Sequence, residues 1–219
     1  MKKLALVSFL AVFMYGCLNY DQYISLYPDG SGKMSVEYWM FSPDSTSLNF
    51  LDRLGLFNED SIRNEFSSEH STIENVEVFS DTTDSTIHAK IELTFVQIDS
   101  LNETKAFSDA DFLLLDGAEG QKIFSQFIPP ITTGFGVDGS KYFVKYVYKV
   151  SGEIITHNAH QEKNQTLTWI YSLADIGGGK TVSFTFRPFK LKETPYWIYF
   201  LSGAVLAIVI FFLFRRKKD

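Results

Sequence analysis

Ile87-His88-Ala89-Lys90-Ile91-Glu92-Leu93-Thr94-Phe95 alternates along its whole length, with apolar side chains at the odd positions and polar ones at the even positions. A period of two is the signature of a strand with one buried face and one wet face. A helix would bring its apolar residues back every three or four positions instead. An antiparallel partner stands just upstream, because Val76 and Val78 are separated from this strand by Asp81-Thr82-Thr83-Asp84, a run of turn formers.

The same reading extends in both directions. Upstream, Ile24 and Leu26 alternate with Tyr23, Ser25 and Tyr27, and Met34, Val36, Tyr38 and Met40 alternate on the way back. Pro28-Asp29-Gly30-Ser31-Gly32 between them predicts a hairpin turn, since glycine supplies the positive φ values that tight turns need. Downstream, residues 112–115 and 123–128 form a second hairpin through Asp116-Gly117-Ala118-Glu119-Gly120, closed by Pro129 and Pro130. Tyr142, Val144, Tyr146, Tyr148 and Val150 share one face of a long strand. Leu167, Trp169 and Tyr171 belong to another, and Val182, Phe184 and Phe186 to the last, which Pro188 ends.

Residues 42–68 break the pattern. Phe50, Leu51 and Leu54 have helical spacing behind Asp44 or Ser45 as N-cap, and Asn58-Glu59-Asp60 starts a second helix with Ile62 and Phe66 four apart. The expected fold is therefore α+β: strand-dominated, mostly antiparallel sheet with one or two helices, plus a C-terminal transmembrane helix. Antiparallel pairing follows from turns too short to hold crossover helices.

Composition agrees with one packed domain. Of 219 residues, 45% are apolar and 21% charged, which excludes wholesale disorder, and 21 Phe with 11 Tyr suit a sheet-rich core. The net charge is −6. Setting aside Lys2, Lys3, Arg215, Arg216, Lys217, Lys218 and Asp219 at the ends leaves 14 basic against 25 acidic side chains. Such a surface repels polyanions, so nucleic acid is excluded as a partner. The single cysteine, Cys17, excludes an intramolecular disulfide and a cysteine-based zinc cluster.

The two ends carry targeting signals. Residues 1–16 read as a signal peptide: basic Lys2 and Lys3, an apolar run over 4–14, and small Gly16 at the cleavage position before Cys17. Met14-Tyr15-Gly16-Cys17 resembles a bacterial lipobox, in which the cysteine thiol is acylated. An ordinary signal peptide with an incidental cysteine, or an uncleaved anchor, stays open beside it. At the other end, residues 196–214 are uncharged and, at ~1.5 Å per residue, match the roughly 30 Å hydrocarbon core of a bilayer. Tyr196, Trp197 and Tyr199 are interface residues by type, and the basic tail 215–219, with Arg215, Arg216, Lys217 and Lys218, marks the cytoplasmic side. The expected organisation is signal peptide 1–16, extracytoplasmic domain 17–188, linker 189–195, span 196–214 and tail 215–219.

Three stretches bear a resemblance to the LppM-type bacterial envelope lipoproteins: Asp29-Gly30-Ser31-Gly32, Gly152-Glu153-Ile154-Ile155 leading to Asn158-Ala159, and Thr166-Leu167-Thr168-Trp169. The likeness runs from about Cys17 to the end. It implies a lipobox, one extracytoplasmic α+β domain and a C-terminal transmembrane helix with a basic tail. It further implies a domain that binds a lipid or glycolipid and is not an enzyme.

No catalytic, cofactor or metal motif emerges from the residues. Gly177-Gly178-Gly179-Lys180-Thr181 looks like a phosphate loop, but Ala174 stands where the first glycine belongs and a strand pattern follows the lysine. His157, His160 and Glu162 fall in a polar segment expected to be a solvated loop, His88 on the wet face of its strand and His70 in a serine-rich turn. No Gly-x-Ser-x-Gly elbow is present, and no carboxylate pair stands out on an acidic surface. Asn102-Glu103-Thr104 and Asn164-Gln165-Thr166 match the glycosylation acceptor pattern. The many aromatic rings serve either as core packing or as the lining of an apolar cavity. The expected partners are the bilayer and either an envelope lipid or an envelope protein, the latter making the chain a structural or assembly factor.

Overall fold

The computed structural model describes residues 18–42, 55–118, 120–131, 138–188 and 196–215, with side chains omitted at 196 and 213–215. Cys17, Gly16, the first expected helix with Phe50, Leu51 and Leu54, the linker 189–195 and Arg216, Lys217 and Lys218 lie outside the described residues.

In chain order the elements are β1 (Asn19–Leu26), β2 (Gly32–Phe41), α1 (Glu59–Phe66), β3 (Ser71–Asp81), β4 (Thr86–Phe95), β5 (Leu113–Asp116), β6 (Lys122–Ile128), β7 (Phe143–Val150), β8 (Gly152–His157), β9 (Gln161–Lys163), β10 (Thr166–Ser172), α2 (Leu173–Ile176), β11 (Lys180–Pro188) and α3 (Tyr196–Arg215). Short 3-10 turns at Asp99–Glu103, Lys105–Phe107 and Gly139–Lys141 fill the connections. The chain divides into two units at the boundary between Pro188 and Phe189.

The first unit is strand-dominated α+β. Seven strands form one sheet in the order β3-β4-β2-β1-β7-β10-β9, and four form a second in the order β5-β6-β11-β8. β4 pairs antiparallel with β2 on one side and β3 on the other, with Ile91 opposite both Val36 and Val76. Its apolar residues are buried, and its polar ones are part-exposed, as strict alternation requires. The β1–β2 hairpin closes with Leu26 opposite Gly32, and Gly30 holds φ 91 in the turn, a value open to glycine without strain. Asn58 caps α1, its side chain accepting from Ser61 N at 3.0 Å, and Ile62 and Phe66 are the buried face.

One pairing departs from the antiparallel rule: β1 runs parallel to β7, with Ile24 opposite Tyr148. A parallel pair needs a long crossover. Here β2 through β6 intervene in the chain before it re-enters the sheet beside its first strand.

The two sheets meet through aromatic rings. Phe124 lies 4.9 Å from Tyr148 and 4.8 Å from Phe184, and Trp169 stands edge-on to Tyr148 at 5.9 Å. All four are buried. Offset and edge-on contacts of this kind add about 0.5–1.5 kcal/mol per pair beyond area burial.

The second unit is α3, twenty residues long. Residues 197–212, whose side chains are described, cover about 24 Å at 1.5 Å rise. Among the described residues no helix is long and apolar enough to cross a membrane. Ser202 folds its hydroxyl onto its own helix, donating to Ile198 O at 2.8 Å and Tyr199 O at 3.0 Å.

Candidate binding cleft

A cleft of about 390 Å³ opens where β1, β6 and β7 meet the 3-10 segment after β4. Its apolar side comes from Leu18, Phe107, Phe127, Ile131, Val144 and Leu173, and Lys105 and Asp109 stand among the lining residues as the charged ones. Gln22, Tyr20, Gln126 and Tyr146 supply its polar side. A second depression of about 330 Å³ is lined by His70, Val96, Gln97, Asp99, Ser100 and Glu103.

The polar groups of the larger cleft are wired together inside the protein. Tyr20 Oη donates to Gln22 Oε1 at 2.8 Å. Gln22 Nε2 donates to Gln126 Oε1 at 3.1 Å and to Tyr148 Oη at 3.3 Å, and the Tyr148 hydroxyl donates in turn to Gln126 Oε1. Gln22 and Tyr148 are fully buried, and Gln126 is 3% exposed. Burial pushes the Tyr20, Tyr146 and Tyr148 hydroxyls well above the ordinary tyrosine value, and neighbouring tyrosines add to the shift. The cluster is therefore neutral at neutral pH, and it bridges the two sheets, since Gln126 belongs to β6 and Gln22 and Tyr148 to β1 and β7.

These glutamines have a sequence signal that the alternation of Ile24 and Leu26 already implies. Extended backwards, it puts Gln22 and Tyr20 on the inward face of β1, and Gln126 falls between inward Phe124 and Ile128. A glutamine at a core position in each of two strands marks a paired buried network, because neither could be buried alone without cost.

The histidines are engaged elsewhere. His157, expected in a solvated loop, ends β8, and Glu162 sits in β9; their side chains pair at 3.0 Å, and His157 Nδ1 accepts from Ala159 N at 3.1 Å. Gln161–Lys163 is a wholly exposed edge strand, so it has no apolar residue to betray its period. His160 Nδ1 accepts from Ile170 N at 3.1 Å. His88 is stacked between Trp39 and Phe79, at 5.7 and 4.8 Å, with Nδ1 3.0 Å from Glu37 Oε1. His70 lies 3.6 Å from Glu103. Among the described residues no three His, Cys, Asp or Glu side chains converge on a metal-sized site. Lys180 opens β11 rather than a helix, which removes the phosphate-loop reading. Asn102 holds the backbone of Phe112 through both its amide atoms at 2.8 Å.

On α3, Tyr196 is the first residue and Arg215 the last, and Trp197 and Tyr199 are each 63% exposed.

The architecture is thus a two-sheet α+β domain with a cleft that sets apolar side chains around a buried polar floor. Among solved structures the chain is similar to the folded domain of LppM from Mycobacterium tuberculosis, determined by NMR, with a TM-score of 0.50 and 11% sequence identity over 80% of this chain and 93% of that one. At that identity the likeness is one of fold. No family model matches the sequence, and no curated protein matches it.

Proposed function

We propose that the chain is a membrane-tethered extracytoplasmic lipoprotein of LppM type, whose non-catalytic domain binds an envelope lipid or glycolipid in the cleft between β1, β6 and β7. The observation that carries this reading is the cleft itself: apolar walls from Phe107, Phe127, Val144 and Leu173 around a neutral floor, at a volume within the ~300–1,000 Å³ usual for small-ligand sites. Acyl chains take apolar walls, and an uncharged polar floor suits the first polar atoms of a lipid.

The tether rests on sequence. Cys17 becomes the acylated N-terminus, and the uncharged run 196–214 of α3 becomes the span with Arg215, Arg216, Lys217 and Lys218 in the cytoplasm. Each acyl CH₂ adds about 0.8 kcal/mol of membrane affinity, so two chains hold firmly. The backward-folded hydroxyl of Ser202 is what a helix in hydrocarbon requires.

The test is extraction of the full-length chain from membranes, followed by mass spectrometry of lipid that stays bound. Wild type is expected to carry lipid in stoichiometric amount, and Val144→Trp, which fills the cleft, to carry much less. Equal lipid on both would remove the cleft from the reading. Cys17→Ser is expected to abolish acyl labelling, and a reporter after Asp219 active only outside the cytoplasm would overturn the topology.

A second reading has its own observation. β5 is an edge strand whose Leu113 and Leu115 are 40% and 49% exposed, beside Ile123 at 43%. An apolar unpaired edge is a surface for strand addition by a protein partner. Recovery of one stoichiometric protein by crosslinking through β5 would favour an assembly factor.

A further inference from the structure

The floor of the cleft has a direction. Gln126 Oε1 accepts two hydrogen bonds, from Gln22 Nε2 and from the Tyr148 hydroxyl. The Gln126 amide is oriented with Oε1 toward Gln22 Nε2 and the Tyr148 hydroxyl, the last step of a relay that begins at Tyr20. The Gln126 amide nitrogen is left with two N–H donors and no hydrogen-bond partner among the described residues, on a residue 3% exposed that lines the cleft. Nor is it sealed away: Ser42 Oγ is the one side-chain polar atom among the described residues that is both enclosed and unpartnered. The Tyr146 hydroxyl, on the same lining and 6% exposed, has no hydrogen-bond partner among them either.

We propose that this floor is a donor site for an uncharged carbonyl oxygen, that of an acyl ester or amide, with Gln126 Nε2 as the principal donor and the Tyr146 hydroxyl as the second. The inference rests on the cleft being a ligand site. Acceptor capacity is nearly spent, since Gln126 Oε1 is doubly occupied and Gln22 Oε1 already takes the Tyr20 proton, so a ligand that offers only donors finds little there. An anion is equally ill served. Among the described residues the only cation on the lining is Lys105, whose Nζ lies 3.9 Å from Glu65, and Asp109 adds negative charge nearby. Burying a carboxylate or phosphate against neutral amides, without a paired charge, is costly. A neutral carbonyl accepts both donors without that cost.

The experiment uses the full chain in nanodiscs, titrated with 1-octanoylglycerol, its ether counterpart 1-O-octylglycerol, and octanoate, with empty nanodiscs as the blank. The ester is expected to bind about tenfold tighter than the ether, which has the same chain and no carbonyl, and octanoate to bind no better than the ether. Gln126→Leu is expected to erase the ester's advantage while leaving ether affinity in place. Tyr146→Phe leaves the Gln22–Tyr148–Gln126 relay intact and is expected to reduce the advantage about threefold, which keeps the test decisive if the leucine variant does not fold. Equal affinity of wild type for ester and ether, or tightest binding of octanoate, would overturn the donor assignment while the cleft stood as a ligand site. Binding of none of the three would remove the ligand site and the assignment together.

Discussion

Trp169 Nε1 donates to Asn158 Oδ1 at 2.9 Å, and this bond ties the two sheets where the chain crosses between them. Trp169 is in β10 of the seven-stranded sheet and fully buried, whereas Asn158 follows β8 of the four-stranded one. The same Oδ1 accepts from Ser183 N at 2.9 Å, and Asn158 Nδ2 donates to Thr181 O at 2.7 Å, both on β11. One amide side chain therefore satisfies a buried indole and two backbone groups.

Replacing Asn158 with alanine leaves the Trp169 N–H without its partner and frees Ser183 N and Thr181 O. The expected cost is about 1–3 kcal/mol of stability, since an orphaned buried donor loses its full compensation. Chemical denaturation checks it. In an Asn158→Ala background, Trp169→Phe is expected to cost less than it does alone, the mark of direct coupling. Additive costs would mean that the bond contributes nothing.

Gly152 begins β8 where that strand meets the end of β11, opposite Pro188. A Cβ there would stand 2.6 Å from Arg187 O and 2.8 Å from Phe186 Cδ2. The first is backbone and cannot swing aside. Gly152→Ala is expected to part the two strands and cost about 1–3 kcal/mol, as overpacking does. Loss of amide-exchange protection at the β8–β11 ladder, with β4 unaffected, is the local readout.

The Gln22–Gln126–Tyr148 network makes an asymmetric prediction. Gln22→Leu alone strips Gln126 Oε1 and the Tyr20 hydroxyl of a partner in a buried site, and is expected to cost about 1–3 kcal/mol. Gln22→Leu combined with Gln126→Leu removes the orphaned amide as well, and is expected to recover a substantial part of the loss. Denaturation midpoints of the two single variants and the double variant measure this. A double variant as unstable as the sum of the singles would mean that the amides act independently.

Much of the fold was legible because its strands are half-buried. β4 shows both faces in its alternation, β7 and β11 repeat the pattern, and Asp29-Gly30-Ser31-Gly32 and Asn58 mark a turn and a helix start by their own chemistry. Local alternation says nothing about which distant strand is a neighbour, so the parallel β1–β7 pair and the division into two sheets were not legible. β9 was missed because an exposed edge strand of Gln161, Glu162 and Lys163 has no apolar face. The cleft was half legible. Gln22 and Gln126 occupy inward positions that the alternation identifies, but their meeting across the sheets is a tertiary fact.

Acid sensitivity follows from the turns. Asp29, Asp81 and Asp138 each accept from the hydroxyl and the backbone N–H of the residue two positions on, Ser31, Thr83 and Ser140. Those side-chain bonds, followed by the backbone ones, hold all three carboxyls below the ordinary value of 3.8, and the Ser172 hydroxyl does the same for Asp175. A carboxyl whose folded pKa is depressed binds its proton more weakly when folded than when unfolded. Its contribution to stability is complete above the unfolded value and is lost as pH falls through the folded one. Stability is therefore expected to be insensitive to these groups above about pH 5 and to decline below about pH 4. All four carboxyls are solvent-accessible, so screening keeps each effect small, and the four act in the same direction. Melting temperatures measured between pH 3 and 6 for wild type and for a Ser31→Ala, Thr83→Ala, Ser140→Ala triple variant test the assignment. The triple variant is expected to show a shallower acid decline, and an unchanged slope would mean that other carboxylates govern acid unfolding.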